Sequence, residues 1–438
     1  MARSRYPQPI RLHLAGPAVL LLIGPAASGK STFAKKLLAD GTADQVVSSD
    51  AIRAELGLEA TEGRRTFREF HRRVAAAANA GKVVIADATS LTRRDRHQVF
   101  DQLGPDIPVI AARMPDHDVD ELLRRDAARD RQVGEQPITR QVARFESAAT
   151  RRMLLDEPFS CVVDVDGTDF VRCAACAGPG HDIVGDVHAC ATTFEQVVGA
   201  LGYNLDGSHP AGRGLIVAGD WFDRGPPLQT RRTAELLLEL LRNHGESVVG
   251  NHCDKLRRYL RNAREGGSHG LAKTLEQLRS QPDADTLIAQ LLELLSTQMP
   301  AQLLLDNGRA LVVHAAAYGQ AVGAVDRQAE ALALYGPVVR GEKTAEGFPV
   351  RIDWAQQYTE PRTVIHGHVV HLNAGGRLHN NVVAIDTGCA VGGALSVCSY
   401  PELTRRSFRP LEVAWDPAFS DPHQQAETLP ADPQTPVV

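Results

Sequence analysis

A chain of 438 residues is too long for one ordinary core and suggests two or three domains, and its 43% apolar and 23% charged residues are those of a globular protein. Its formal net charge of −5 excludes a general polyanion binder, so any nucleic-acid surface has to be local. Seven Cys, an odd number, do not form a disulfide framework, and no apolar run is long enough to span a bilayer.

Taken in chain order, the first apolar run, residues 18–23, follows Arg3, Arg5 and Arg11 and mimics a secretion signal. It is short and leads straight into a glycine-containing loop, so it reads as a buried strand of a cytoplasmic protein. Gly24-Pro-Ala-Ala-Ser28-Gly29-Lys30-Ser31 fits G-x-x-x-x-G-K-[ST] at the end of that strand and the start of a helix. Backbone N–H groups converging at a helix N-terminus bind phosphate. The expected nucleotide contacts are therefore Gly24, Ser28, Gly29, Lys30, Ser31 and Thr32, with Lys30 on the β- and γ-phosphates and Ser31 on Mg2+.

The loop alone leaves kinase, ATPase and GTPase open. Asp50 follows Ser48-Ser49 at the end of the apolar pair 46–47, where it can accept a proton from an attacking hydroxyl; the alternative is a helix N-cap. Arg53, three residues on, shares its helix face and suits an acceptor phosphate. Asp87 ends the run 83–86 and offers a carboxylate to organise metal and substrate. Arg125, Arg129 and Arg131 sit on an expected lid and suit the charge of a transferring phosphoryl group, Arg129 catalytically; the alternative is a salt-bridged surface with Asp126 and Asp130. Apolar runs at 19–23, 83–86 and 109–112 alternate with helical patterns at 30–39, 64–80 and 118–129, which predicts a parallel sheet covered by helices. The arginine-rich stretches 64–73, 124–152 and 257–264 read as solvated helix faces.

The Gly- and Pro-containing segment 173–181 divides the chain into domain 1–172, linker 173–181, domain 182–415 and a polar, Pro-rich tail 416–438 expected to be disordered. Cys173 and Cys176 form a lone C-x-x-C with no second pair and no obvious His partner, so the pattern argues against a zinc site, which needs four ligands. Strands are expected at 182–184, 215–218, 247–249, 310–313, 363–365 and 382–385, with long helical stretches at 231–243 and 271–295.

These strands end in clusters of Asp, Asn and His: Gly185-Asp186-Val-His188, Gly219-Asp220-Trp-Phe-Asp223-Arg224-Gly225, Gly250-Asn251-His252, His314 and His366-Gly-His368. That donor set describes a dinuclear site for two divalent metals such as Mn2+ or Fe2+. Asp220 is the best bridge, with Asp186 and His188 on one metal, Asn251, His314 and His368 on the other, and His366 as a substitute. Arg224 suits a bidentate grip on phosphate, and His252, oriented by Asp223, suits the general acid.

Several longer runs add to these motifs: Ser-Ser-Asp50, Val-Ile-Ala-Asp87-Ala-Thr, Arg131-Gln-Val, Gly-Asn251-His252-Cys-Asp-Lys255-Leu-Arg-Arg-Tyr-Leu, His269-Gly-Leu-Ala-Lys-Thr and Ala-Ile-Asp386-Thr-Gly-Cys-Ala-Val-Gly-Gly. Through them, residues 17–402 resemble the kinase and phosphatase modules of bacterial polynucleotide kinase-phosphatase, an RNA end-healing enzyme. The resemblance implies a P-loop kinase domain with a parallel sheet, followed by a calcineurin-like metallophosphoesterase α/β sandwich. It implies ATP and Mg2+ for phosphorylation of 5′-hydroxyl ends, and two metals, Mn2+ above others, for removal of 3′-phosphate or 2′,3′-cyclic phosphate. The family's ligase module has no counterpart here, so the expected partners are RNA ends, a separate sealing ligase and a second copy of the chain, with no membrane. Ala189 and Ala316 stand where family members usually have Gly, and His366-Gly-His368-Val369 departs from Tyr-Gly-His-Thr. The competing readings are a small-molecule kinase fused to a dinucleoside polyphosphate hydrolase, and a nucleotide sensor fused to a protein phosphatase.

Overall fold

The strand Ala18–Ile23 is apolar and buried at every position, the pattern of a central parallel strand. In the computed structural model, which describes residues 8–58, 62–226, 228–262, 269–280, 282–345, 347, 349–373 and 376–409, it lies at the middle of a five-stranded parallel sheet. The order is Gln45–Ser48, Val83–Asp87, Ala18–Ile23, Val109–Arg113 and Cys161–Asp164. Helices Lys30–Ala39, Gly63–Asn79 and Glu135–Ala148 turn apolar faces inward, burying Leu37, Phe70 and Phe145 among others. In a parallel sheet every strand ends on the same edge, so Gly24, Ser48, Asp87 and Arg113 share one rim.

The remaining chain forms an α/β sandwich. One sheet runs Gly245–Ser247, Gly214–Val217, His181–Val184, Ala394–Tyr400, the last pairing with both Asp386–Thr387 and Thr404–Phe408. The other runs Arg377–His379, Val382–Ala384, Thr363–His366, Ala310–Val313, Gln302–Leu305, Ile10–Leu14, Thr168–Arg172. Ile183 and Ile216 of the first sheet, with Val248 just past its edge strand, meet Leu303, Val312 and Ile365 of the second between them. Both halves thus have the expected α/β class.

The sheet boundary does not follow the expected division at residue 172. Ile10–Leu14 and Thr168–Arg172 lie in the segment assigned to the first domain, yet they pair in parallel with each other, and Ile10–Leu14 pairs with Gln302–Leu305 of the sandwich. Short apolar strands specify that they are buried, not which sheet they join. The P-loop helix covers this added edge, with Phe33 edge-on to Phe170 at 5.2 Å. Asn307 accepts from the Ala15 N–H at 2.9 Å and donates to its carbonyl at 3.0 Å. The expected single helical stretch 271–295 is two helices, His269–Leu278 and Ala284–Thr297, because Pro282 lies between them. The tail 416–438 falls outside the described residues. Among the described residues no helix is long and apolar enough to cross a membrane.

Candidate active sites

Gly29 closes the phosphate loop at φ 98°, a left-handed conformation that glycine adopts without penalty, and the helix Lys30–Ala39 starts at the next residue. Lys30 is buried, its ammonium donating to the carbonyls of Gly24 at 2.9 Å and Pro25 at 2.6 Å. Burial pushes it down to about 8, assisted by the nearby Arg129 and opposed by Asp87 and Asp50. The Ser28 hydroxyl is buried without a hydrogen-bond partner, an orphaned donor beside the cradle. Ser31 donates to Asp87 Oδ2 at 2.8 Å, so the hydroxyl and carboxylate suited to a hard cation are already adjacent. Burial raises the Asp87 carboxyl against the pull of Ser31 and Lys30. Thr32 is exposed.

The helix cap belongs to Ser48, whose side chain accepts from Ala51 N–H, which leaves Asp50 uncommitted to capping. Asp50 is exposed at the rim and accepts from Arg53 Nη1 at 2.8 Å. The three lid arginines differ. Arg125 is tied to Glu121 at 2.6 Å and faces His117, Arg129 approaches Asp126 at 3.4 Å while acting on Lys30 and Asp87, and Arg131 is exposed. Asp126 is committed elsewhere: its buried carboxylate accepts from the backbone of Val133 and Gly134 and shapes the turn carrying Arg129 and Arg131.

In the sandwich, both sheets deliver their strand ends to one place. Asp186, His188 and Asp220 form one group and Asp220, His314 and His368 another, their donor atoms lying within 4.8 Å of one another, and Asp220 belongs to both. The tautomers are set by backbone partners. His314 Nδ1 donates to Ala218 O at 2.9 Å, which leaves a lone pair on Nε2. That lone pair faces Asn251 Oδ1 at 2.9 Å and Asp220 Oδ2 at 3.3 Å, both acceptors. His188 Nδ1 donates to Phe222 O at 3.1 Å, and its Nε2 is buried without a hydrogen-bond partner, 3.9 Å from both Asp186 and Asp220. His368 Nδ1 also lies 3.1 Å from His314 Nε2, and this crowding of imidazole, carboxylate and amide oxygen fits divalent metals of intermediate hardness.

Burial, with Asp386 and Asp220 nearby, raises Asp186 well above the carboxylate range. Burial would raise Asp220 too, but His314, His252 and His188 hold it well below. Burial pushes His188 down to about 3. Gly250 precedes Asn251 for reasons of space: a Cβ there would lie 2.1 Å from Asp220 Oδ1.

His252 stands at the edge of the cluster, its Nδ1 donating to Asp223 Oδ2 at 2.8 Å and its backbone N–H to Asp220 Oδ1 at 2.9 Å. Arg224 is close enough to act on Asp186, His188, His368 and Asp386. His366 is separated from this cluster: its ring packs on Trp354, 5.5 Å between centroids, so it is no substitute for His368. Two residues were absent from the sequence-derived set. Asp386, buried beside Asp186, has one carboxylate oxygen without a partner and carries the same strand-end signal as the others. Arg351 donates to His368 Nε2 and carries no signal at all. A cleft of about 1050 Å3 lies at neither site but between the two halves, near Phe159, Arg309 and Arg362.

The two glycine-to-alanine departures are unlike each other. Ala189 is buried at φ 56°, whereas Ala316 is buried outside the left-handed region. Left-handed backbone costs an L-residue about 1–2 kcal/mol, and glycine returns about 0.4–1 kcal/mol of that through unfolded-state entropy. Ala189→Gly is therefore expected to raise stability by about 0.5 kcal/mol, and Ala316→Gly to lower it; urea melts of the two variants check the opposite signs.

Comparison with known proteins places these sites in context. Residues 19–151 match the AAA domain family, and residues 182–372 match the calcineurin-like phosphoesterase family. A bis(5′-nucleosyl)-tetraphosphatase PrpE (asymmetrical) of Geobacillus sp. (strain WCH70) is 37% identical over 227 residues, 51% of this chain and 91% of that protein. Among solved structures, a chain of the Pnkp1/Rnl/Hen1 RNA repair complex aligns at 14% identity over 63% of this chain and 95% of its own, with a TM-score of 0.27. A gluconokinase from Sinorhizobium meliloti 1021 aligns at 16% identity over 35% of this chain and 85% of its own, with a TM-score of 0.26.

Proposed function

We propose that this chain, which belongs to the calcineurin-like phosphoesterase family and joins to it a P-loop kinase-like domain, heals nucleic-acid ends, adding phosphate to a 5′-hydroxyl and removing it from a 3′-phosphate or 2′,3′-cyclic phosphate. The observation that carries the reading is that each half gathers its own phosphate-handling set on its strand ends: one suited to giving a phosphoryl group, the other to hydrolysing one. The runs around Asp50, Asp87, Asn251 and Asp386 support nucleic-acid ends, RNA before DNA, as the substrate.

In the kinase half, Asp50 accepts the proton of the attacking 5′-hydroxyl while Arg53 holds the acceptor's phosphate. Lys30 and Arg129 neutralise the γ-phosphoryl group in transfer, with Arg125 and Arg131 on the outer phosphates. Ser31 and Asp87 would hold Mg2+, which would supply neutralisation of phosphate charge.

In the phosphatase half, Asp186, His188 and Asp220 would hold one divalent cation and Asp220, Asn251, His314 and His368 the other. Two such ions, Mn2+ or Fe2+ for example, would supply Lewis-acid activation of the phosphoryl group and of the attacking water. Arg224 orients the phosphate. His252, its Nδ1 fixed by Asp223, presents Nε2 to donate a proton to the leaving oxygen.

One observation favours a second reading for this half: the 37% identical relative is named as a bis(5′-nucleosyl)-tetraphosphatase. The readings are separated by kcat/KM with Mn2+ on an RNA ending in 2′,3′-cyclic phosphate and on a dinucleoside tetraphosphate. In parallel, kinase kcat/KM is compared on a 5′-hydroxyl oligonucleotide and a free nucleoside. End-healing predicts that the oligonucleotide wins both comparisons by about tenfold or more, some 1.4 kcal/mol of transition-state discrimination. A preference for the dinucleotide or the free nucleoside overturns it.

A further inference from the structure

We propose that His13, Cys173, Cys176 and His181 form a structural Zn2+ site, separate from both phosphate-handling centres, that clips the N-terminal strand to the segment joining the two halves. The sequence offered the lone C-x-x-C no partner, and the fold supplies two. Parallel pairing of Ile10–Leu14 with Thr168–Arg172 sets Leu14 opposite Arg172, which brings His13 and Cys173 to the same end of that sheet. Cys176 follows one turn later, and His181 opens the first strand of the other sheet.

The four donor atoms lie within 4.8 Å of one another. Cys173 Sγ is 3.6 Å from His181 Nε2, and Cys176 Sγ is 3.9 Å from His13 Nδ1. A tetrahedral zinc with Zn–S of about 2.3 Å and Zn–N of about 2.0 Å needs S···N separations of about 3.5 Å, within tenths of an ångström of these two pairs. His13, Cys173 and His181 are buried and Cys176 is half-buried. Two thiols and two imidazoles form the soft tetrahedral donor set that selects zinc over the harder ions expected at Asp220.

The surroundings match those of a metal thiolate. Cys173 Sγ accepts from the Cys176 N–H at 3.3 Å, and Cys176 Sγ accepts from the Asp306 N–H at 3.4 Å, so each sulfur has a backbone donor to share thiolate charge. Behind His13, Nε2 lies 2.8 Å from Glu246 Oε1, while Arg11 holds the other oxygen of Glu246 at 2.9 Å. A carboxylate behind a ligating imidazole fixes its ring and strengthens it as a ligand. None of these residues belongs to the Asp220-centred groups. The ligands come from three places in the chain, and the ion would hold both sheets and the start of the P-loop unit in register.

The test is metal content and zinc K-edge absorption of the full chain as isolated, for the wild type, Asp220→Asn and Cys173→Ser/Cys176→Ser. The expected result is about one zinc per chain bound by two sulfurs at about 2.3 Å and two nitrogens at about 2.0 Å. It is retained in Asp220→Asn and lost in the double serine variant. Should that variant fail to fold, His13→Cys serves instead, expected to keep the zinc and show three sulfurs. The proposal is overturned by a zinc with no sulfur neighbours, by zinc that leaves with Asp220→Asn, or by a Cys173–Cys176 disulfide in freshly isolated protein.

Discussion

Lys30→Ala is expected to abolish 5′-phosphorylation, by about three orders of magnitude or more, while phosphatase turnover stays within about twofold of wild type. The lysine is buried at the loop, held by the carbonyls of Gly24 and Pro25. Asp220→Ala is expected to do the reverse. Its carboxylate is the member common to both donor groups, so its loss removes a ligand from each. Removing metal with a chelator should reproduce the Asp220→Ala phosphatase defect, and Mn2+ should restore the wild type but not the variant. Initial rates on a 5′-hydroxyl oligonucleotide and on an aryl phosphate decide it. Loss of both activities from either single substitution, in protein with a native melting curve, contradicts the two-site account.

The second large effect concerns the boundary. A fragment beginning at residue 173 is expected to aggregate on expression, although it contains every residue of the phosphatase centre. It lacks Ile10–Leu14 and Thr168–Arg172, which leaves Gln302–Leu305 as a bare edge. Leu303, Leu304 and Leu305 are all fully buried in the intact chain, and an exposed apolar edge strand pairs with other chains. The fragment also loses His13 and the backing of Phe33 on Phe170. Solubility and light scattering of fragment 173–409 against the full chain test this. A monodisperse fragment with wild-type phosphatase activity would show the added strands to be dispensable.

What the sequence revealed and what it concealed divide along a physical line. The placement of residues at strand ends was readable, because a buried run announces a strand and a polar cluster after it announces the rim. That rule located Gly24 to Ser31, Asp87, Asp186, Asp220, Asn251 and His314, and it extends to Asp386, which the run at 382–385 also points to. Partnership across long separations was not readable. His13 is 163 residues from Cys176, and only the pairing of Ile10–Leu14 with Thr168–Arg172 brings them together. Arg351 reaches His368 from a two-stranded ribbon that bears none of the strand-end motifs. The choice between His366 and His368 needed geometry: the strand Thr363–His366 ends at His366, whose ring packs on Trp354, and His368 lies beyond it at φ 68°.

The central claim is that one chain gives phosphate to one kind of end and takes it from another. It is tested most directly by a single incubation of the full chain with an RNA bearing a 5′-hydroxyl and a 2′,3′-cyclic phosphate, ATP, Mg2+ and Mn2+, followed by mapping of both ends. The account predicts a 5′-phosphate and a free 2′,3′-diol on the same molecule, with the first change missing in Lys30→Ala and the second in Asp220→Ala. An RNA recovered with both ends unaltered, by an enzyme that cleaves a dinucleoside tetraphosphate in the same buffer, would contradict it.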